Sequence, residues 1–482
     1  MGRPFYLTTT LPYVNADPHI GFALEMVQAD ILARYHTLIG DEVFFNTGTD
    51  EHGLKIYQRA IEEGKDPQAY TDEYAAKFRR LKEKLNLHPD LHFVRTTDPD
   101  HKEAAQEMWR RCLAKGDIYK KKYKGLYCIG DEMFLKESDL VNGKCPNHPT
   151  MDPIEIEEEN YFFRLSTYQD KILGYLHRES SVVPNWRREE AIKFVERGLE
   201  DFSISRDKAR LTWGVPVPDD ENQVMYVWFD ALTNYISTLG WPFDSAQGKP
   251  DDFEKYWERG FTLQLAGKDQ VRFQSVMWQG MLMSAGLKNT DRVFYHGFIT
   301  SGGQKMSKSL GNVIDPIAIV EEYGIDALRY FLARHVHPFD DSDVTMGRFK
   351  EAYNADLANG LGNLTARIIT LAEKNLPEPI QRPEAVGFPK EYTDAIEQYE
   401  YNRALSYVWE RIQKLDRRIT EEEPFKLVKT NPEKGRILIA ECASELYAIV
   451  RMLNPFMPEA NETIKKAILE NKKPPNLFPR KE

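Results

Sequence analysis

Cysteine is scarce: four residues in 482 cannot staple a chain of this length, which excludes a disulfide framework and favours a reducing compartment. No apolar run approaches the ~18 residues that a membrane-spanning helix needs. The opening MGRPFYLTTT lacks the apolar stretch and cleavage site of a signal peptide, so the expected location is cytoplasmic, with no membrane partner. Positive charge is in deficit: 64 Lys and Arg against 75 Asp and Glu leave a net charge of −11, which argues against nonspecific DNA binding. A locally basic face on an acidic protein still suffices to hold a phosphate backbone, so nucleic acid as such stays open. Repeats and low-complexity tracts are missing. Aromatics, at 12%, are too abundant for a solvated coil, and 482 residues suggest about two to four domains.

Phe5-Tyr6-Leu7-Thr8-Thr9 reads as a buried strand, followed by a loop with Pro12, Asn15, Asp17 and Pro18. Ile20, Ala23, Leu24, Val27, Ile31, Leu32, Tyr35 and Leu38 recur at helical spacing up to Gly40. Val43-Phe44-Phe45 is a second strand, and strand–helix–strand is the start of a parallel α/β sheet. From about residue 117 the elements shorten, with paired Cys and His and an acidic run at Glu155 to Glu159, which reads as an insertion. Met225-Tyr226-Val227-Trp228, Leu263 to Ala266 and Val293 to His296 resume the α/β pattern. Beyond Asp356 no strand candidate remains, and Ala404, Leu405, Val408, Trp409, Ile412, Leu415 and Ile419 form one core-facing helical stripe.

Four groups of residues carry possible chemistry. His19-Ile20-Gly21 stands at a helix start, where backbone N–H groups suit a phosphate and Gly21 lets a ligand come close. Gly302-Gly303-Gln304-Lys305-Met306-Ser307-Lys308-Ser309 reads as flexible glycines leading into two lysines, able to close on a polyphosphate. Gly267-Lys268-Asp269-Gln270 follows an apolar strand, at the strand end where ligands of open α/β sheets bind. Cys128-x₂-Asp131-x₁₃-Cys145-x₂-His148 has the spacing of two zinc knuckles facing one ion. Two thiolates, one His and one Asp make an unusual set, so a bound Zn²⁺ and a knuckle that has lost its metal both stay open. Cys112 and Cys442 fit no pattern and read as packing residues.

The His-Ile-Gly start and the complete Lys-Met-Ser-Lys-Ser run resemble the two signatures of class I aminoacyl-tRNA synthetases. Within that class the chain is similar to the methionyl-tRNA synthetases. Leu11-Pro12-Tyr13-Val14-Asn15, Thr49-Asp50-Glu51-His52-Gly53, Trp213-Gly214-Val215-Pro216, Tyr226 to Ala231 and Tyr323 to Arg329 carry that resemblance along nearly the whole chain. It implies that methionine and ATP–Mg²⁺ bind at the sheet's carboxyl edge, that methionyl-adenylate forms, and that methionine tRNA receives the amino acid. His19, Lys305 and Lys308 would stabilise the phosphates, with Gly21, Gly267 and Asp269 also on ATP. Asp50 would accept from the methionine ammonium, while Leu11, Tyr13, Trp228, Ala231, Tyr235 and Gln274 would line the side-chain pocket. Asn363 and Arg367, one helical turn apart, and Phe425 would read the anticodon.

The chain departs from the family pattern at several positions. Phe22 replaces the second His of the helix-start signature, Asp131 a knuckle Cys, and Phe425 an anticodon-stacking Trp. Gln270 and Gln274 stand where many members have Ile and His, and both amides are expected to turn toward backbone or water.

The expected architecture is α/β: a Rossmann-like class I catalytic domain in two halves, 1–116 and 213–309, around a connective insertion, 117–212. A linking region, 310–355, and an all-α anticodon-binding bundle, 356–482, follow, and a monomer is expected. A non-catalytic paralogue and a small-molecule adenylyltransferase are the rival readings. The intact lysine loop, His19 and Asp50 weigh against the first, and the bundle with Asn363 and Arg367 against the second.

Overall fold

A computed structural model describes residues 2–129, 133–135, 137, 140–146, 149–243, 251–306, 311–383 and 387–482. The chain forms two compact units. The first comprises Met1–Pro18, Gly40–Lys82 and His88–His296; the second comprises His19–Ile39, Glu83–Leu87 and Gly297–Glu482. No helix among the described residues is long and apolar enough to cross a membrane.

The first unit is built on a six-stranded parallel sheet. Its strands are β1 (Pro4–Thr8), β2 (Glu42–Thr49), β3 (Leu91–Arg95), β4 (Val182–Val183), β5 (Phe261–Gly267) and β6 (Arg292–His296). Their spatial order is β3-β2-β1-β5-β6-β4. β1 lies between β2 and β5, with Leu7 opposite Phe45 on one side and Leu263 on the other. Phe5, Tyr6 and Leu7 are all buried, which is why β1 reads as a continuous apolar run rather than an alternating one.

One expected strand is a helix. Asp220–Met225 is a strand of a separate three-stranded antiparallel sheet, and Val227–Ala231 then turns helical. Four apolar residues in a row do not distinguish a buried strand from a buried helical turn. The expected insertion contains an antiparallel sheet of Ile118–Cys128, Met133–Leu135, Ile154–Phe163 and Phe202–Ser203. Its acidic run faces a lysine-rich strand, with Lys124 opposite Glu157 and Lys122 opposite Glu159, so the charges pair across strands.

In the second unit, described residues from 346 onward form only helices and loops. The apolar stripe from Ala404 to Ile419 is buried on the Tyr401–Glu422 helix, as its spacing predicts. Arg329, fully buried, ties four segments of this unit together. It donates to Asp30 Oδ2 at 2.6 Å, Leu85 O at 3.1 Å, Pro455 O at 2.8 Å and Phe456 O at 3.0 Å. Removing one partner of such a buried pair costs about 3–5 kcal/mol, so this part of the Tyr323 to Arg329 motif is structural. Cys112 and Cys442 are buried, and burial pushes their thiols up to about 12 and about 11, as inert packing residues.

Candidate active site

Because β1, β2 and β5 are adjacent and parallel, the segments leaving their carboxyl ends emerge at one edge of the sheet. These segments carry Leu11 and Tyr13, Asp50, and Gly267 with Asp269. The chain from β1 turns toward β2 on one side and β5 lies on the other, the crevice geometry in which open α/β sheets bind ligands. Tyr13 and Asp50 form an isolated parallel bridge. Val14 N donates to Asp50 O at 3.2 Å, and Asp50 N to Pro12 O at 3.0 Å. The buried Asp50 is therefore fixed by backbone pairing against the Leu11–Tyr13 segment. Asp269 is exposed beyond β5 and accepts from Gln270 Nε2 at 3.1 Å.

Trp228 and Ala231 share the short Val227–Ala231 helix, and Tyr235 lies in the next one, Asn234–Ser237. Trp228 stacks on Phe273, with ring centroids 3.8 Å apart and planes at 12°. Gln274, next to Phe273, is buried in a π-helical turn, Phe273–Met277. Its amide Nε2 donates to the hydroxyl of Tyr235. Both glutamine amides thus turn to side chains, Gln270 to Asp269 and Gln274 to Tyr235, and not to backbone or water as expected. The structure brings Gln274, Phe273, Trp228 and Tyr235 together; Leu11 is half-buried on its loop.

A polar network behind these residues escaped the sequence reading. Glu51, fully buried, accepts from Arg95 Nε at 2.7 Å and a second Arg95 nitrogen at 2.8 Å. Thr49 and Thr97 hydroxyls complete its shell at 2.6 Å and 2.5 Å. Next to it, His52 Nδ1 is 2.6 Å from Asp230 Oδ2, and His101 Nε2 is 2.8 Å from Asp230 Oδ1. Burial alone would raise the Asp230 carboxyl, but the charge and hydrogen bonds of His52, then of His101, hold it down to about 2. His52 and Asp230 fall inside quoted motifs, but no spacing rule links either to His101.

The second unit carries the phosphate candidates. His19 immediately precedes the Ile20–Ile39 helix, and its Nδ1 accepts from Gly21 N at 3.1 Å. Ile20 N donates to Ile314 O at 3.1 Å. Phe22 N and Ala23 N both donate to His19 O, at 3.0 Å and 3.3 Å, so all four of the helix's first N–H groups are already engaged and the imidazole is the more available donor. Burial pushes His19 down to about 4, so the ring is neutral near pH 7; with Nδ1 accepting, its proton sits on Nε2. The ring packs on Phe22, centroids 4.4 Å apart, so the residue replacing the second signature His supports the first.

Gly302 and Gly303 do not make a flexible leader. With φ of 63° and 73° they form the two-residue turn of a hairpin, Ser301 pairing Gln304. Gly303 N donates to Asp343 Oδ1 at 2.7 Å, which anchors the turn. Lys305 lies on the returning strand; Ser307, Lys308 and Ser309 lie outside the described residues.

Among the anticodon candidates, Asn363 is exposed at the start of the Asn363–Asn375 helix and Phe425 is exposed after Pro424. Arg367 forms an ion pair with Asp416 on the neighbouring Tyr401–Glu422 helix. Of the four knuckle residues, Cys128 and Cys145 are buried in one small cluster with Leu135, while Asp131 and His148 lie outside the described residues. Among the described residues no group of three or more ligand-type side chains is poised for a metal.

The family described as tRNA synthetases class I (M) matches residues 5–156 and 148–369. The chain is 40% identical to the methionine–tRNA ligase of Thermotoga maritima over 98% of its own length and 76% of that protein's. It is 40% identical to the methionine–tRNA ligase of Mesorhizobium japonicum over 94% and 89%. The structure is similar to Mycobacterium tuberculosis methionyl-tRNA synthetase in complex with methionyl-adenylate. The TM-score is 0.88 at 36% identity, covering 100% of this chain and 99% of that one. With the apo form of that enzyme the TM-score is 0.83 at 32% identity, with the same coverage. The strand order, the segments at the carboxyl edge of β1, β2 and β5, and these matches agree: the chain belongs to the methionyl-tRNA synthetase family of class I aminoacyl-tRNA synthetases.

Proposed function

We propose that this chain is a methionine–tRNA ligase, which activates L-methionine with ATP and transfers it to methionine tRNA. In the first step a methionine carboxylate oxygen attacks the α-phosphorus of ATP. The α–β phosphoanhydride bond breaks, leaving methionyl-adenylate and pyrophosphate. In the second, a ribose hydroxyl of the tRNA's terminal adenosine attacks the adenylate carbonyl and AMP leaves. The protein positions the reactants and stabilises charge.

Asp50 accepts from the methionine ammonium. Leu11, Tyr13, Trp228, Ala231 and Tyr235 enclose the thioether side chain, where sulfur–aromatic contacts add about 0.3–1.5 kcal/mol. Gln274 braces that wall through Tyr235. Gly267 flanks the adenine and Asp269 holds the ribose. His19 donates from Nε2 to a phosphate oxygen as charge builds, with Gly21 leaving room for the His19 ring. Lys308 adds cationic charge and Lys305 supports its loop. ATP would enter as its Mg²⁺ complex, whose cation screens phosphate charge. Asn363, Arg367 and Phe425 read the anticodon by hydrogen bonds and stacking. Cys128 and Cys145 would supply the thiolates of a structural zinc set, with Asp131 and His148 as its other ligands.

The observation that supports this reading most is the convergence of Leu11–Tyr13, Asp50 and Gly267–Asp269 at one edge of a parallel sheet. The test is aminoacylation of methionine tRNA, with a changed anticodon as control. Charging of the unaltered tRNA with methionine is expected. Preference for another amino acid in pyrophosphate exchange would overturn the reading.

A further inference from the structure

The cluster His52–Asp230–His101 has no role in the chemistry above, yet it connects the parts that do. Asp230 lies in the same short helix as Trp228 and Ala231, and His52 lies two residues after Asp50. All three side chains are buried: His52 is 2% exposed, and His101 and Asp230 are 1%. His101 comes from a third element, the Pro99–Ala114 helix, and its Nδ1 is 2.9 Å from Ser237 Oγ on the Asn234–Ser237 helix that holds Tyr235. One carboxylate thus connects the loop of Asp50 with both helices that carry Trp228, Ala231 and Tyr235.

The hydrogen bonds assign the protons. Asp230 as a carboxylate only accepts, so His52 donates from Nδ1 and His101 from Nε2. The other ring nitrogen of His101, Nδ1, pairs with the Ser237 hydroxyl. Trp213 closes the cluster, its ring 5.4 Å from that of His52 and its Nε1 donating to Glu51 O at 2.6 Å. Burying such a cluster is a poor route to stability, because apolar side chains of the same volume stabilise a core as well or better. Unlike apolar packing, it is directional: the loop and the helix meet in one rotation and one register.

We propose that Asp230 is a positioning residue for the amino-acid site, holding Asp50 and the Trp228–Ala231 wall in fixed relation through His52 and His101. The inference rests on the methionine-activating reading. It concerns methionine alone, because none of the cluster's bonds reaches the Gly267–Asp269 segment.

The test measures ATP–pyrophosphate exchange while titrating methionine and ATP separately, in the wild type, Asp230→Asn, His52→Ala and His52→Asn. Asparagine at 230 puts an NH₂ donor where one carboxylate acceptor was, so it can no longer accept from both His52 and His101 as they stand. Asp230→Asn and His52→Ala should each raise the KM for methionine about tenfold or more, with the KM for ATP changed by less than about threefold. His52→Asn, whose side-chain amide nitrogen takes the place of Nδ1–H, should recover most of the loss in His52→Ala. An unmoved methionine KM overturns the proposal, as does a parallel rise for both substrates. A methionine-specific rise that His52→Asn fails to recover overturns it too, because ring packing would then hold the loop. If Asp230→Asn does not fold, the two His52 variants carry the test. Absence of methionine-dependent exchange in the wild type would refute the functional reading instead, and is seen before any variant is made.

Discussion

A methyl group on Gly21 would meet the His19 ring. A Cβ there would lie 2.8 Å from His19 Cε1 and 3.0 Å from Nδ1, closer than such atoms rest, so the imidazole must move. The Gly21 N–H bond to Nδ1, 3.1 Å long, would be bent or broken with it. The backbone itself welcomes the change, because Gly21 is in the first turn of a helix, where alanine is favoured over glycine by roughly 0.5–1 kcal/mol. Gly21→Ala should therefore leave stability unchanged or slightly raised while lowering the rate. Deleting a transition-state donor costs about 2.7–4 kcal/mol. That is the ceiling here, since the ring is displaced and not removed; a loss of roughly 10- to 100-fold in pyrophosphate exchange is expected. Thermal unfolding run alongside separates the two effects. The decisive comparison is in a His19→Ala background, where the methyl has no ring to push and should be nearly neutral. Equal losses in both backgrounds would refute the reasoning, placing the damage in direct obstruction of ligand and not in His19.

Lys308→Ala should retain methionine binding but slow pyrophosphate exchange about a hundredfold, some 3 kcal/mol; an unchanged rate would mean the lysine loop has another role. Arg367→Ala should weaken tRNA charging by about 1–3 kcal/mol while sparing pyrophosphate exchange, and equal damage to both reactions would make its ion pair with Asp416 purely structural. Elemental analysis should find about one zinc per chain, lost in Cys145→Ser; a metal-free, fully active preparation would leave the knuckle as a fold element. Asp326 supplies a pH test. It is buried, its Oδ2 accepts from Ala460 N at 2.6 Å, and burial raises its carboxyl to about 7. The folded state then holds a proton that the unfolded state has released between about pH 4 and pH 7, so stability falls as pH rises through that window. Asp326→Asn should raise the unfolding free energy at pH 8, by at most about 4 kcal/mol, and change little at pH 4; equal effects at both would show that the proton is not involved.

The parallel strands were legible because burial on both faces leaves a continuous apolar run, as in Phe5 to Leu7. The stripe from Ala404 to Ile419 was legible because a helix repeats every few residues along its own sequence. Both signals are local. The His52–Asp230–His101 cluster is not: its bonds span 178 and 129 positions, and nothing within a window of sequence links them. The helix at Val227–Ala231 failed for a related reason. A buried helical turn and a buried strand have the same composition, and only the change from extended to helical backbone after Tyr226 decides. The glycine pair at 302 and 303 misled in the opposite sense: positive φ is a reason for glycine as valid as flexibility, and here it builds a tight turn.

Gln274 shows how a residue that looks wrong for its site is partly accommodated: Nε2 is paired, while the buried Oε1 meets no donor among the described residues. Methionine has no side-chain hydrogen-bond donor, and a buried amide left unpaired costs about 1–3 kcal/mol, so a glutamine beside its pocket reads as a liability. On sequence alone the amide points to backbone or water. It donates instead to the hydroxyl of Tyr235, whose backbone oxygen in turn accepts from the Tyr6 hydroxyl at 2.8 Å. The amide therefore holds the polar tip of a buried aromatic side chain whose ring also packs edge-on against Trp278, centroids 5.7 Å apart. The preceding residue, Phe273, carries Trp228 in a stack. Adjacent residues 273 and 274 thus fix two aromatics that come from another part of the chain, one by ring contact and one by a hydrogen bond. Selection of a thioether depends on shape, and shape depends on rings that do not move. A glutamine that pins a tyrosine serves that end without touching the substrate.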